Sequence, residues 1–263
     1  MRFIRYRTGS EQPRYGWIYQ DRVGPIEGLP FGEFRRLEAE MPLHMVHLLA
    51  PVIPGKIICV GRNYAEHAKE QNVEVPEIPL LFMKPPSSII GPDETIILPP
   101  QSRQVEHEGE LAVVIGRRGR WIPSEEALKY VMGYTVANDV TARDLQRKDG
   151  QWTRGKGFDT FCPIGPWIET DLDPADVLVQ TRVNNEMRQM ASTREMIFPI
   201  EQLIAFISSI MTLEPGDLIL SGTPAGIGVL TAGDQVEVSV EGIGALTNPV
   251  AAGSGNVEPI GKA

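Results

Sequence analysis

An α+β fold built of mixed sheets is predicted by three features of this 263-residue chain. Its 26 Gly and 22 Pro cluster between short apolar runs, the pattern of strands joined by shaped loops. Runs with strand character outnumber runs with helical period, and they lack the regular strand–helix spacing of a doubly wound sheet. Hydrophobic residues make up 42% and charged residues 22%, the balance of a folded globular chain.

At the N-terminus, Phe3, Ile4 and Tyr6, then Trp17, Ile18 and Tyr19, read as two strands with Asp21-Arg22-Val23-Gly24 as turn chemistry. The charged stretch from Gly32 to Met41 reads as a helix. Residues 1–53 thus form a small β-rich unit, closed by Pro51-Val52-Ile53-Pro54-Gly55, where two prolines and a glycine stop any helix. A larger domain over 54–252 follows, and the Gly/Ser-containing end, fraying from Ala251, leaves 253–263 as a flexible tail. In the larger domain, strands are predicted at Ile57–Val60, Leu80–Lys84, Glu108–Ile115, Val131–Asn138, Leu218–Leu220 and through Val236, Val238 and Val240. Helices are predicted at Tyr64–Gln71, at Ser124–Tyr130 with Ser124 as N-cap, and at Thr141–Lys148. The clearest helix starts with Pro199 at its first position. Its apolar face is Ile200, Leu203, Ile204, Ile207 and Ile210, and Glu214-Pro215-Gly216-Asp217 ends it.

With 25 Lys+Arg against 34 Asp+Glu, the net charge is −9, and there is no basic block. That argues against nucleic acid and anionic membrane as partners, but not against a small anionic substrate. No apolar stretch approaches the ~18 residues of a membrane span. The N-terminal MRFIRYRTGS has no continuous apolar core, so no signal peptide is read. Cys59 and Cys162 lack a Cys-x-x-Cys partner and are expected to stay reduced, which places the chain in the cytoplasm.

Phosphate-loop, dinucleotide-binding, nucleophile-elbow and His-Glu-x-x-His signatures are all missing. The strongest positive signal is His107-Glu108-Gly109-Glu110-Leu111-Ala112-Val113-Val114-Ile115. On a strand, Glu108 and Glu110 point to one face about 7 Å apart. Either they are a solvated outer face or, since Ala112 and Val114 continue that face inward, a pair that needs a cation or protons. Asp139, after the apolar run Val131–Asn138, is a third acid and reads either as a helix N-cap or as a further ligand. An all-oxygen trio selects Mg²⁺ or Mn²⁺, with Ca²⁺ also admissible, over Zn²⁺. His67 and Glu70 are neighbours on one helical face, either a surface pair or an imidazole oriented as a base. Lys156, flanked by glycines, reads as a solvated loop lysine or as a cation for an enolate. The loop Ser221–Gly228 is able to offer a hydroxyl and backbone N–H groups to an anion. His44 and His47 lack a supporting acid and read as structural.

Taken in order, VGRNYAEHAKE (60–70), LLFMKPPSSIIGP (80–92), HEGELAVVIG (107–116), GYTVANDVTARDLQ (133–146), KGFDTFCPIGP (156–166) and LSGTPAGIG (220–228) resemble the fumarylacetoacetate hydrolase family. The resemblance implies a β-roll catalytic domain, a homodimer and a divalent metal, Mg²⁺ or Mn²⁺. It implies Glu108, Glu110 and Asp139 as metal ligands, His67 and Glu70 as a dyad on a mobile lid, and Lys156 as the active-site lysine. Arg143, Gln146 and Thr223 match substrate-contacting positions. The implied activity is hydrolysis of the C–C bond of acylpyruvate-type 2,4-dioxo acids. Oxaloacetate decarboxylation or tautomerisation and 2-hydroxyhepta-2,4-diene-1,7-dioate isomerisation are alternatives on the same fold. Asn184-Asn185 departs from the family's usual Asn-Gly hairpin turn, but Asn tolerates positive φ.

Overall fold

A computed structural model describes residues 1–255. It is an α+β fold of three sheets, two of them mixed and the smallest antiparallel, with few and short helices. The central strand is Gly109–Ile115, paired antiparallel with Val131–Asn138 on one side and Leu218–Leu220 on the other. Ile57–Gly61 then pairs parallel with Leu218–Leu220, and Leu80–Lys84 closes that edge. On the opposite side Val131–Asn138 pairs with Cys162–Glu169, and Cys162–Glu169 with Arg2–Arg7. The N-terminal strands therefore extend the large sheet instead of forming one of their own. A second sheet orders Ile96–Leu98, Gly244–Ala252, Gln235–Val240, Leu178–Val183 and Glu186–Ser192.

Strand Gly109–Ile115 is buried on both faces. Leu111, Val113 and Ile115 enter the main core between the sheets, together with Val236, Val238 and the helix residues Leu203, Ile204 and Ile207. Ala112 and Val114 enter a second core with Ile57, Cys59 and Leu220. Glu110 lies on this second, even-numbered face, and so is carried into the interior. Asn184 and Asn185 take φ of +52° and +66°, so the hairpin turn forms without glycine.

Several expectations are corrected. Gly32–Met41 is not a helix: Phe34–Arg36 and Met41–Pro42 pair with Arg22–Gly28, and the Leu37 amide donates to the Pro25 carbonyl, so backbone pairing to that strand overrides the narrow helical stripe of Phe34, Leu37 and Met41. The first turn is Gln20-Asp21, both at positive φ, and Arg22 already begins the next strand. The strand predicted from Glu108 is broken there. Val105–His107 belongs to a small sheet with Thr141–Ala142 and Gly228–Val229, and the long strand starts at Gly109. Consequently Thr141 is a strand residue, and the helix is Arg143–Asp149. Ser124–Tyr130 is a 3-10 helix capped at Pro123, with no side-chain cap. Pro199 precedes rather than starts the helix Ile200–Ile210, and Ile210 is exposed. Ala251 and Ala252 do not fray, since they pair in register with Ile97 and Leu98. Of the predicted tail, 256–263 lie outside the described residues. His44 and His47 are exposed on the N-terminal unit.

Candidate active site

The strand break at Glu108 builds the site. Asn138 Oδ1 accepts from the Glu108 amide at 2.9 Å, and the Asp139 amide donates to the Glu108 carbonyl at 2.8 Å. These two bonds lock the start of one strand to the end of its neighbour, so Glu108, Glu110 and Asp139 meet. One carboxylate oxygen from each lies within 4.8 Å of the others, and all three side chains are buried. Asp139 caps no helix; its carboxylate is paired with two lysines. Gly109 is obligatory between the two glutamates, because a Cβ there would sit 2.1 Å from Thr181 Oγ1.

Cations surround the trio. Lys156 Nζ donates to Glu108 at 2.8 Å and to Asp139 at 2.6 Å. Lys84 Nζ donates to the other Asp139 oxygen at 2.6 Å. Arg143 bridges Glu106 (2.7 Å) and Glu108, and its Nη1 reaches Gln146 Oε1 at 2.6 Å. Burial acts to raise the Glu108 carboxyl, but Lys156 and Arg143 outweigh it and hold the group far below the usual carboxylate range. Burial likewise acts to lower Lys156, and Asp139 and Glu108 reverse this, leaving its pKa raised and the side chain charged.

Glu110 is treated differently by its surroundings. Its hydrogen-bond donor is the Gly222 amide at 2.7 Å, and it forms no ion pair with a described residue. Burial, then the charges of Asp139 and Glu108, push its carboxyl well above the ordinary value. Gly222 reaches it at φ +101°, and a Cβ there would lie 2.7 Å from Asn63 Cβ. The buried cluster holds four acids (Glu106, Glu108, Glu110, Asp139) against three cations (Lys84, Arg143, Lys156). Three converging oxygens, one of them unneutralised, fit a divalent hard cation. With no thiol or imidazole among them, Mg²⁺, Mn²⁺ or Ca²⁺ suits the donors better than Zn²⁺.

His67 faces the same narrow cavity, which Glu108, Glu110, Lys156 and Thr223 also line. It projects from the helix Ala65–Glu70 and is buried, with Nδ1 at 3.2 Å from Glu70 Oε2 and Nε2 at 3.2 Å from Gln71 Nε2. Glu70 Oε1 also accepts from the Gly226 amide at 3.1 Å, so the helix is tethered to the Gly-rich loop. Thr223 donates to the Gly109 carbonyl at 2.9 Å and accepts from Gln189 at 2.7 Å. Each residue singled out in the sequence thus lies at the cavity or, for Glu70, touches one that does.

Sequence reasoning missed Lys84, Glu106, Gln189, Arg62 and Trp152. Lys84 had a readable signal: it shares a strand face with Phe82 and ends an apolar run just before Pro85-Pro86, where a solvated lysine has little reason to stand. Gln189 had none. It comes from a distant hairpin yet bonds the Gly109 amide (3.0 Å), Thr223 and the Pro224 carbonyl (2.8 Å). Cys59 and Cys162 are buried free thiols, Cys162 pushed up to about 12 by burial.

Comparisons with known proteins agree with this architecture. Residues 56–251 match the family model described as fumarylacetoacetate (FAA) hydrolase, C-terminal, and residues 1–51 match Rv2993c-like, N-terminal. The mitochondrial oxaloacetate tautomerase Fahd2a of Rattus norvegicus is 48% identical over 231 residues, covering 82% of this chain and 74% of the rat protein. A crystal structure described as 5-carboxymethyl-2-hydroxymuconate delta-isomerase from Mycobacterium smegmatis superposes with a TM-score of 0.90 at 46% identity. It covers 96% of this chain and 100% of that one. One described as 2-hydroxyhepta-2,4-diene-1,7-dioate isomerase from Mycobacterium marinum gives 0.89 at 44% identity, covering 96% and 98%. Among the described residues no helix is long and apolar enough to cross a membrane.

Proposed function

The chain belongs to the fumarylacetoacetate hydrolase family, and from that premise we propose that it is a divalent-metal-dependent enzyme that forms and reprotonates the enolate of a small 2-oxo acid, tautomerising or isomerising it. The observation that carries this reading is the meeting, in one cavity, of a buried carboxylate trio, a charged lysine and an imidazole held by a carboxylate.

Glu108, Glu110 and Asp139 would hold Mg²⁺ or Mn²⁺, which when bound supplies Lewis-acid polarisation of a 2-oxo acid. Lys156 brings a fixed positive charge beside two of these acids, in a site walled by Phe82 and Trp152, where an oxyanion gains more from it than in water. His67 moves the proton. With Glu70 on Nδ1, the basic nitrogen is Nε2, which the Gln71 amide meets at 3.2 Å at the cavity wall; once Gln71 yields to substrate, Nε2 is able to take a proton from the carbon next to the carbonyl and return it elsewhere on the enolate. Thr223 and Gln146 line the same space; Gln146, whose Oε1 is held by Arg143, has its amide N–H groups to orient the substrate's oxygens, while Thr223, bonded to Gly109 and Gln189, shapes the wall. The tautomerase and isomerase names of relatives at 44–48% identity support this choice of reaction.

A second reading is C–C hydrolysis of acylpyruvates. The His67–Glu70 pair favours it, because the same imidazole would deprotonate a water that attacks the distal carbonyl, expelling a pyruvate enolate toward Lys156. We further propose a homodimer, tested by sedimentation, and a reducing compartment such as the cytoplasm, in keeping with the two buried thiols.

A panel of oxaloacetate, 2-hydroxy-dienedioates and acylpyruvates, followed by ultraviolet absorbance with Mg²⁺, Mn²⁺ or chelator, tests the reading. Metal-dependent enol–keto conversion is expected. Turnover that survives exhaustive chelation, or none on any oxo acid, refutes it; acylpyruvate cleavage outpacing tautomerisation selects the second reading.

A further inference from the structure

Among residues 186–190 of the hairpin strand Glu186–Ser192, only Gln189 is buried, at 1% exposure. Its carboxamide makes four hydrogen bonds, the full capacity of the group. The Gly109 amide donates to Oε1 at 3.0 Å, and His107 Nδ1 meets the same oxygen at 3.2 Å. Nε2 donates to Thr223 Oγ1 at 2.7 Å and to the Pro224 carbonyl at 2.8 Å. The two backbone partners fix the orientation, because an amide N–H only donates and a carbonyl only accepts. His107 Nδ1 therefore carries its proton toward Oε1.

These partners stand at two places that matter. His107 and Gly109 flank Glu108, and Gly109 separates it from Glu110. Thr223 and Pro224 follow Gly222, whose amide holds Glu110 at 2.7 Å. Two residues further on, the Gly226 amide holds Glu70 at 3.1 Å, and Glu70 in turn orients His67. Gly226 lies flat against the hairpin itself: a Cβ there would come 2.0 Å from the Arg188 carbonyl oxygen and 3.3 Å from Gln189 Cα. One carboxamide from the second sheet thus ties the strand break that carries Glu108 and Glu110 to the loop that holds Glu110 and Glu70.

Resting on the reading of the cavity as a metal centre beside a base, we infer that Gln189 is a positioning residue that sets how the acidic trio and His67 stand relative to one another. It does not line the cavity. It acts through Gly109 on one side and through the Gly-rich loop on the other. A hydrocarbon in its place deprives the Gly109 N–H and the Pro224 carbonyl of this partner, and strand and loop lose their common anchor. A displacement of about 1 Å at a reacting group costs roughly 100-fold in rate. Partners that hold metal ligands in place carry similar weight, about 10- to 100-fold in metal affinity or activity.

Three variants test this. Gln189→Met keeps the length and removes all four bonds. Gln189→Glu keeps an acceptor for Gly109 and His107 but loses the donor to Pro224. Thr181→Val, paired with Gln189 across the hairpin, is the packing control. Each is assayed well below its melting temperature: Mn²⁺ affinity by calorimetric titration, amide exchange by NMR, and steady-state kinetics on oxaloacetate by absorbance. In Gln189→Met the Mn²⁺ Kd should rise about 10-fold or more. Gly222 and Gly226 should exchange about 10-fold faster relative to the core amides of Leu203 and Ile204. Its kcat should fall about 10- to 100-fold at nearly constant KM. Gln189→Glu should hold Mn²⁺ near the wild-type Kd yet lose kcat, since only the loop half of the anchor is broken. Thr181→Val should match the wild type throughout. A Gln189→Met protein that melts earlier but keeps its Mn²⁺ affinity and its exchange at Gly222 and Gly226 overturns the inference, as does equal damage by Thr181→Val. Wild-type protein that binds no Mn²⁺ overturns the inference and the proposed function together. Wild-type protein that binds Mn²⁺ but turns over no oxo acid sinks the proposed reaction alone, because affinity and exchange read Gln189 without turnover.

Discussion

Glu110 offers the sharpest test of whether the acidic trio exists to hold a cation. Replacing it by Gln keeps an oxygen for the Gly222 amide, 2.7 Å away, and removes only the charge. The trio's ligand oxygens lie within 4.8 Å, so each like-charge pair costs about 3.5 kcal/mol or more at an effective dielectric constant near 20. Glu110 faces two such neighbours, and Lys156, seated on both, offsets much of that. A net gain of about 2 kcal/mol is expected for the metal-free variant, raising Tm by roughly 4–8 °C in a chain of this size. The pH dependence follows from the sign of the shift. Burial and the adjacent acids raise the folded-state pKa of Glu110 above its unfolded value. The penalty is therefore absent below about pH 4.3, the unfolded value, and grows as pH rises until the folded pKa is passed. In EDTA, then, the variant's advantage should vanish near pH 4 and be largest in neutral to alkaline buffer. In Mn²⁺ at 100 times Kd the order reverses, because the wild type alone gains about 2.7 kcal/mol by mass action. Differential scanning calorimetry across pH, with and without metal, measures all of this. A variant that is less stable than wild type in EDTA at every pH, or that keeps the full Mn²⁺ shift, refutes the reasoning.

His67→Ala should lower turnover by about 10²- to 10⁴-fold while Mn²⁺ affinity, followed by calorimetry, stays as in the wild type; any hydrolysis should suffer more than enolisation. Lys84→Met removes one partner of a buried ion pair with Asp139. It should cost about 3–5 kcal/mol in chemical denaturation without metal, with divalent cation restoring part of it; an unchanged midpoint would show the pair to be dispensable. Gly222→Ala forces a Cβ against Asn63 at φ +101°. It should lower the urea midpoint and weaken Mn²⁺ binding together, since the same amide holds Glu110; loss of stability with metal affinity intact would separate the two.

Much of the site was legible because strand alternation is a local rule. Glu110, Ala112 and Val114 share a face, and apolar neighbours on that face mean burial wherever the sheet goes. The His67–Glu70 contact was legible for the same reason, helical spacing alone placing one beside the other. Local rules failed where pairing partners are remote. Gly32–Met41 has charges enough for a helix, but an edge strand at Arg22–Gly28 was waiting to bond it. The break at Glu108 is set by Asn138 and by a small sheet whose strands are far apart in sequence.

What the sequence alone determined is the inventory: which acids are carried inward, which histidine has a carboxylate within reach, and that all-oxygen ligands call for a hard cation. Tertiary structure decided how the charges are shared. It placed Lys156 on both Glu108 and Asp139 and gave Arg143 to Glu106 and Glu108; among the described residues it left Glu110 with a single backbone donor and Arg62 without an acid. The reason is physical: burial and periodicity are properties of neighbours along the chain, whereas the energy of a buried charge depends on whatever the fold brings within a few ångströms of it.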